Sequence, residues 1–126
     1  MTKISKIIKS CKVAAASKKD IETIAGKGSY ACFIPSQKII YMSPRAGQPA
    51  LYHEQGHAIY ASCVDLQIAW DKEYRKHKKS IEKLISLYGC TDSEEGFCEA
   101  YSLHMTNKKK TSYLVQLAAK LVEQEG

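Results

Sequence analysis

The five residues His53-Glu54-Gln55-Gly56-His57 constrain this chain more than any other stretch. They form an H-E-x-x-H motif between two apolar flanks, Ala50-Leu51-Tyr52 and Ala58-Ile59-Tyr60-Ala61. On a helix, positions four apart share a face and lie about 6 Å apart along the axis. Two imidazoles so placed can converge on one cation. Neutral imidazole suits Zn²⁺, and two histidines plus one carboxylate leave a fourth position open for water. Glu54, beside the first histidine, can reach that water as a general base. The bland alternative is a pair of helix histidines satisfied by ordinary hydrogen bonds. The apolar flanks, and the carboxylates further along the chain, favour the metal.

The rest of the chain sets the limits around that motif. Its 126 residues make a single domain spanning 1–126, long enough for a modest core. Hydrophobic residues at 44% and charged residues at 25% fit a soluble globular protein. No apolar run approaches the roughly 18 residues a membrane span needs, so no membrane partner is expected. Lys6, Lys9 and Lys12 interrupt any apolar core of an export signal, which points to a cytoplasmic setting. Five cysteines, with no C-x-x-C spacing, read as reduced thiols rather than as a disulfide framework or a structural zinc site. The net charge of +6 raises the question of nucleic acid. The surface is rich in lysine, with Arg45 and Arg75 as its arginines, and lacks the aromatic–basic interleaving of single-strand binders. A solvated lysine surface is the preferred reading, and nucleic acid is not the expected partner.

Periodicity then divides the chain. Ile4, Ile7, Ile8, Cys11 and Ala15 share one face of an amphipathic helix over residues 2–16. Asp20 is the expected cap of a short helix carrying Ile21 and Ile24, and Gly26-Lys27-Gly28 is a turn. Residues 30–34 and 38–42 read as a β-hairpin joined by Pro35-Ser36-Gln37. Pro49 suits the first turn of the motif helix, expected over 50–63. Gly56 lowers helix propensity there, so close packing against another element should require it. A second helix is expected over 66–88, with Trp70, Tyr74, His77, Ile81, Leu84, Ile85 and Tyr88 inward and Gly89 as its terminator. Thr91, Asp92 or Ser93 caps the next helix, which runs to Met105. Thr111 or Ser112 opens a last one, with Tyr113, Leu114, Leu117, Leu121 and Val122 as its stripe. The fold class expected is α+β, a compact, mainly helical zincin-like domain with a small hairpin or sheet.

A two-histidine site needs a third protein ligand from another element. Glu94, Glu95, Glu99, His104 and His77 are the candidates. Glu95 and Glu99 share a helical face, so one can bind metal while the other supports a ligand from behind. His104 lies about half a turn around from that face. His77 falls on the apolar stripe of a different helix.

The segment from Tyr88 to Tyr101 resembles the anthrax lethal factor-like metallopeptidases, which include the Pro-Pro endopeptidases. That family joins an H-E-x-G-H helix to a later pattern of the form Y-G-x(5)-E-x-F-x-E-A-[FY]. His53, Glu54, Gly56 and His57 match the first part; Tyr88, Gly89, Glu95, Phe97, Glu99, Ala100 and Tyr101 match the second. The similar region covers residues 30–105 or so. The resemblance implies that His53, His57 and Glu95 bind one Zn²⁺, that Glu54 is the general base, that Tyr88 donates to the developing oxyanion, and that Glu99 supports the ligands from behind. Gly96 departs from the aromatic usual after the ligand glutamate, which bears on local packing.

The function expected is therefore a gluzincin-type zinc metalloendopeptidase, hydrolysing a protein or peptide substrate with a water that Zn²⁺ polarises and Glu54 deprotonates. Substrate should lie extended beside the strand at 38–42, with Ile39, Ile40 and Tyr41 forming the edge. Two readings compete with this. One is a catalytically silent zinc-binding or basic interaction module. The other is a peptidase of the kind carried on mobile elements that cleaves a regulator. Oligomeric state leaves no mark on the sequence.

Overall fold

The computed structural model describes residues 2–126. The chain runs α1 (Lys3–Ser10), β1 (Lys12–Ala15), α2 (Lys18–Ala25), β2 (Ala31–Ile34), β3 (Ile39–Met42), α3 (Gln48–Ser62), α4 (Val64–Lys76), α5 (Ile81–Leu84), α6 (Ser93–Met105) and α7 (Tyr113–Glu125). Two 3₁₀ turns, Lys78–Ser80 and Tyr88–Cys90, flank α5. Helices dominate and one small mixed sheet completes a compact α+β fold, as expected. Among the described residues no helix is long and apolar enough to cross a membrane.

The core gathers where α3, α4, α6 and α7 meet. Trp70, Phe97, Ile59, Leu66, Leu114 and Val115 are all but sealed from solvent there. Burying one such side chain is worth about 1.5–3 kcal/mol. Two aromatics of α4 also brace the start of α6. Trp70 Nε1 donates to the Ser93 carbonyl at 2.8 Å, and the Tyr74 hydroxyl donates to the Gly89 carbonyl at 2.7 Å.

Four local expectations are corrected. The N-terminal helix stops at Ser10, whose hydroxyl donates to the Ile7 carbonyl, and residues 12–15 turn into β1. Pairing with β3 outweighs the helical pattern of Cys11 and Ala15. Ser17, not Asp20, caps α2; its Oγ accepts from the Asp20 amide. The hairpin turn has four residues, 35–38, and Lys38 takes a positive φ of 52° to close it. The helix expected over 66–88 is two helices. The His77 imidazole bonds the Glu73 carbonyl, the backbone leaves helical geometry at His77, and the chain bends so that Ile81 and Ile85 fold under the bundle. Lys109 and Ser112 donate to the carbonyls of Lys83, Leu84 and Ile85, which ends α5 early. Gly89 is then no helix terminator but the buried residue of the turn that carries Tyr88.

The sheet order is β1-β3-β2, with β1 parallel and β2 antiparallel to β3. β3 is thus the central strand, paired on both sides. Ile39, Ile40 and Tyr41 cannot offer a free edge, and Ile40 is fully buried. This overturns the expected substrate edge. The free edge near α3 belongs to β2. Beyond its start the Ser43 amide donates to the Tyr30 carbonyl at 2.9 Å, so Tyr30 and Ser43 form a hydrogen-bonded pair. Alternation makes Cys32–Tyr41 and Ile34–Ile39 bonded pairs as well. The backbone groups of Ala31 and Phe33 therefore point away from β3.

Candidate metal centre

Gly56 decides how closely α3 and α6 approach. A Cβ at Gly56 would sit 3.0 Å from Cys98 Cα and 3.3 Å from its Cβ and Sγ. The two helices touch at backbone distance, as the glycine predicts, and the imidazoles of α3 reach the carboxylates at the start of α6. Asp92 holds that start in place, its Oδ1 accepting from the Glu95 amide at 2.8 Å. Gly96 serves a second approach. A Cβ there would fall 2.5 Å from the Tyr74 ring, so Tyr74 of α4 fills the space that a side chain at 96 would take.

His53 and His57 lie edge to face with ring centres 5.1 Å apart. Each imidazole is held at both nitrogens. His53 Nδ1 is 2.8 Å from Glu99 Oε2, and His57 Nδ1 is 2.6 Å from Glu94 Oε2. An ionised carboxylate only accepts, so each Nδ1 donates. Both Nε2 atoms turn to a single oxygen, Glu95 Oε1, at 3.1 Å from His53 and 2.8 Å from His57. The other oxygen of Glu95 accepts from the Tyr88 hydroxyl at 2.7 Å. Behind Glu99, Ser86 Oγ donates to Oε1 at 2.8 Å and itself accepts from the Gly89 amide. One serine thus ties the support of His53 to the turn that presents Tyr88.

Three basic atoms so close require positive charge among them, supplied by protons or by a metal ion. The protonation equilibria carry the same signature. Burial alone would lower His53; hydrogen bonds with Glu95 and Glu99, aided by the Glu54 charge, reverse this and push it up to about 9. Burial is likewise overcome at His57, which is raised by Cys98, Glu94 and Glu95. Glu95 is held well below the usual carboxylate range, its burial outweighed by His53, His57 and Tyr88. Glu54, only 9% exposed, moves the other way, raised chiefly by its burial. The Phe33 amide faces it from β2 and favours its charged form. Burial, with Glu95 beside it, raises the Tyr88 hydroxyl, which stays a donor.

The donor set fits a metal. Ligands of a tetrahedral site with bonds of about 2.0–2.1 Å are about 3.3 Å apart. The Nε2–Oε1 separations of 2.8 and 3.1 Å are close to that. Nδ1–carboxylate pairs are also the usual outer support of metal-binding histidines. Cys98 completes a group of four, with His53, His57 and Glu95, whose donor atoms lie within 4.8 Å of one another and could hold a metal ion. The comparisons end there. No family model, curated protein or solved structure matches the chain.

Of the residues singled out in the sequence, the fold brings His53, His57, Glu54, Tyr88, Glu95 and Glu99 to one place. Glu94 joins them behind His57. His104 is exposed near the far end of α6, and His77 packs its ring against Tyr113 at 5.2 Å. Three participants escaped the sequence reading. Cys98, three residues after Glu95, could have been found on the shared helical face. Glu94 was visible only as a ligand candidate. Ser86 had no periodic signal at all.

The centre opens into a cleft with two lobes that share Ser29, Ala31, His53, Glu54 and Tyr88. One lobe, of about 390 Å³, extends toward Lys27 and Ser102. The other, of about 260 Å³, extends along β2 to Pro35 and Ala61. α7 lines neither lobe.

Proposed function

We propose that this protein is a zinc-dependent endopeptidase of the gluzincin type. The observation that carries the reading is the convergence of two Nε2 atoms on Glu95 Oε1, with both Nδ1 atoms held from behind and Glu54 buried next to them. The likeness of the motif to lethal factor-like peptidases supports it. His53, His57 and Glu95 would hold the metal, and Zn²⁺ is the ion their donor atoms suit. When bound, Zn²⁺ supplies a Lewis acid that brings the pKa of a water near neutrality.

The chain's own groups do the rest. Glu54, with its carboxyl raised by burial, takes the proton of the attacking water and passes it to the leaving nitrogen. Tyr88 is about half exposed, stands 5.6 Å from the His53 ring, and stays protonated. Its hydroxyl leaves Glu95 Oε2 to donate to the carbonyl oxygen of the substrate as charge develops there. Substrate lies extended along β2, where the outward N–H and C=O of Ala31 and the C=O of Phe33 offer backbone hydrogen bonds, the Phe33 N–H facing Glu54.

One observation favours a second reading. Cys98 Sγ belongs to the cluster, and four protein ligands would make a closed, silent site. In the metal-free protein burial pushes the Cys98 thiol up to about 12, so binding a metal through it would first have to displace that proton. A closed site also has no use for Glu54 or for an open cleft. The deciding experiment measures zinc content and cleavage of a diverse peptide library by the wild type, Glu54→Gln and Glu95→Ala. The peptidase reading expects zinc and cleavage in the wild type, zinc with cleavage reduced about 10²–10⁴-fold in Glu54→Gln, and weakened zinc in Glu95→Ala. Full zinc with no cleavage of any peptide would instead support the closed site.

A further inference from the structure

Beyond Phe33, Pro35 and Ala61 the β2 lobe continues into a third cavity of about 430 Å³, between α1, the hairpin and α3. Its floor is apolar, with Ile7 and Ala58, and Ser10 and Ser62 add hydroxyls. The charged side chains that line it are Lys6 and Lys38, and no carboxylate lines it. Among the described residues neither lysine has an ion-pair partner, whereas Lys3, Lys18 and Arg75 do. The cleft is therefore polarised. Carboxylates line the two lobes beside the metal centre, with Lys27 also lining one of them, and the far end has cations and no carboxylate.

We infer that this end is a subsite for a carboxylate of the bound peptide, so that peptides placing an acidic side chain or a free C-terminus there are preferred. The inference rests on the peptidase reading for its site, and it deepens that reading. The carboxylate is either an acidic side chain or the free C-terminus, since both present the same two oxygens to Lys6 and Lys38. Both lysines are exposed, so each pair they form with a peptide carboxylate is a solvent-screened one. Two such pairs together are worth about a three- to tenfold preference.

The test measures binding, so that it stands apart from turnover. Zinc-loaded Glu54→Gln protein is titrated with decapeptide pools carrying a neutral dye. Each pool fixes Asp/Glu or Asn/Gln at one position, and each is made with an acid and an amide C-terminus. The expected result is about three- to tenfold tighter binding of acidic pools at one position, or of free-acid over amide pools. That ratio falls to about one in Lys6→Gln/Lys38→Asn. Asparagine is chosen because it tolerates the positive φ at position 38. Lys72→Gln/Lys120→Gln, with the same loss of charge elsewhere on the surface, keeps the preference. In Lys6→Glu/Lys38→Asp the preference turns toward a further set of pools that fixes lysine, a gain that misfolding cannot produce. No preference in the parent protein, no binding of any pool, or equal loss in the control pair overturns the inference. Wild-type cleavage separates it from the reading beneath it. Acidic preference without cleavage sinks the peptidase and leaves the subsite; cleavage without acidic preference does the reverse.

Discussion

On the helical wall of the cleft, made by α3 and α6, all four imidazole nitrogens and the three glutamates around them have partners. On the sheet wall, β2 turns the backbone groups of Ala31 and Phe33 away from its one neighbouring strand, and Lys38 has no carboxylate beside it. The first wall is held by part-buried contacts that tie each imidazole at both nitrogens. The second is a short strand with open valences. On the proposed peptidase reading, chemistry that tolerates little misplacement would belong on the first wall, and selection among peptides on the second.

The largest expected effects break the helical wall. Glu99→Ala and Glu94→Ala each strand an Nδ1 donor and should weaken zinc about 10–100-fold, read by competition with a chromophoric chelator. Unchanged affinity in both would remove the claim that the wall preorganises the site. Gly56→Ala comes next. Its Cβ meets the Cys98 backbone, which has little room to yield, and overpacking of this kind costs about 1–3 kcal/mol, less the gain of up to about 1 in helix propensity. Urea unfolding gives the value. A more stable Gly56→Ala would show that the helices can part without harm.

Much of this wall is legible in the sequence, because its logic is local. H-E-x-G-H marks two candidate ligands and the close approach, and Asp92 with Glu95 and Glu99 marks a capped helix with one acidic face. The sheet wall is not legible in the same way. Which strand holds the edge depends on β1, and residues 12–15 have a helical pattern until β3 recruits them. The stripe from Trp70 to Ile85 hides a bend for the same reason. Two helices that pack against one core share a period, and only the tertiary bonds of Lys109 and Ser112 show where the first gives way to the second.

Protons and a bound metal would compete for the helical wall, which sharpens the contrast further. His53 rises from an ordinary 6.5 to about 9, so its contribution to the stability of the metal-free protein is complete below about pH 6.5 and is lost as pH climbs through about 9. Glu95 is depressed, so its contribution is present above about pH 4.5 and is lost in acid. Metal-free stability should therefore peak in the mildly acidic range, while the stabilisation that zinc adds should keep growing as pH rises toward 9. Thermal unfolding with and without chelator across pH checks both slopes. Parallel curves would mean that zinc does not displace these protons.

The smallest effect tests the sheet wall. Ala31→Pro removes an outward N–H without touching the β2–β3 bonds, and should weaken peptide binding a few-fold relative to Ala31→Gly while zinc stays bound. Equal peptide affinity in the two variants would move the substrate off β2.

The central claim is that two imidazoles and one carboxylate, without sulfur, form a single metal site. Zinc-edge X-ray absorption on the reconstituted protein tests it most directly. The account predicts one zinc per chain with nitrogen and oxygen neighbours at about 2.0–2.1 Å, two of them imidazoles, and no sulfur shell. A sulfur neighbour at about 2.3 Å would place Cys98 in the coordination sphere and close the site, and a protein that takes up no zinc would contradict the account at its root.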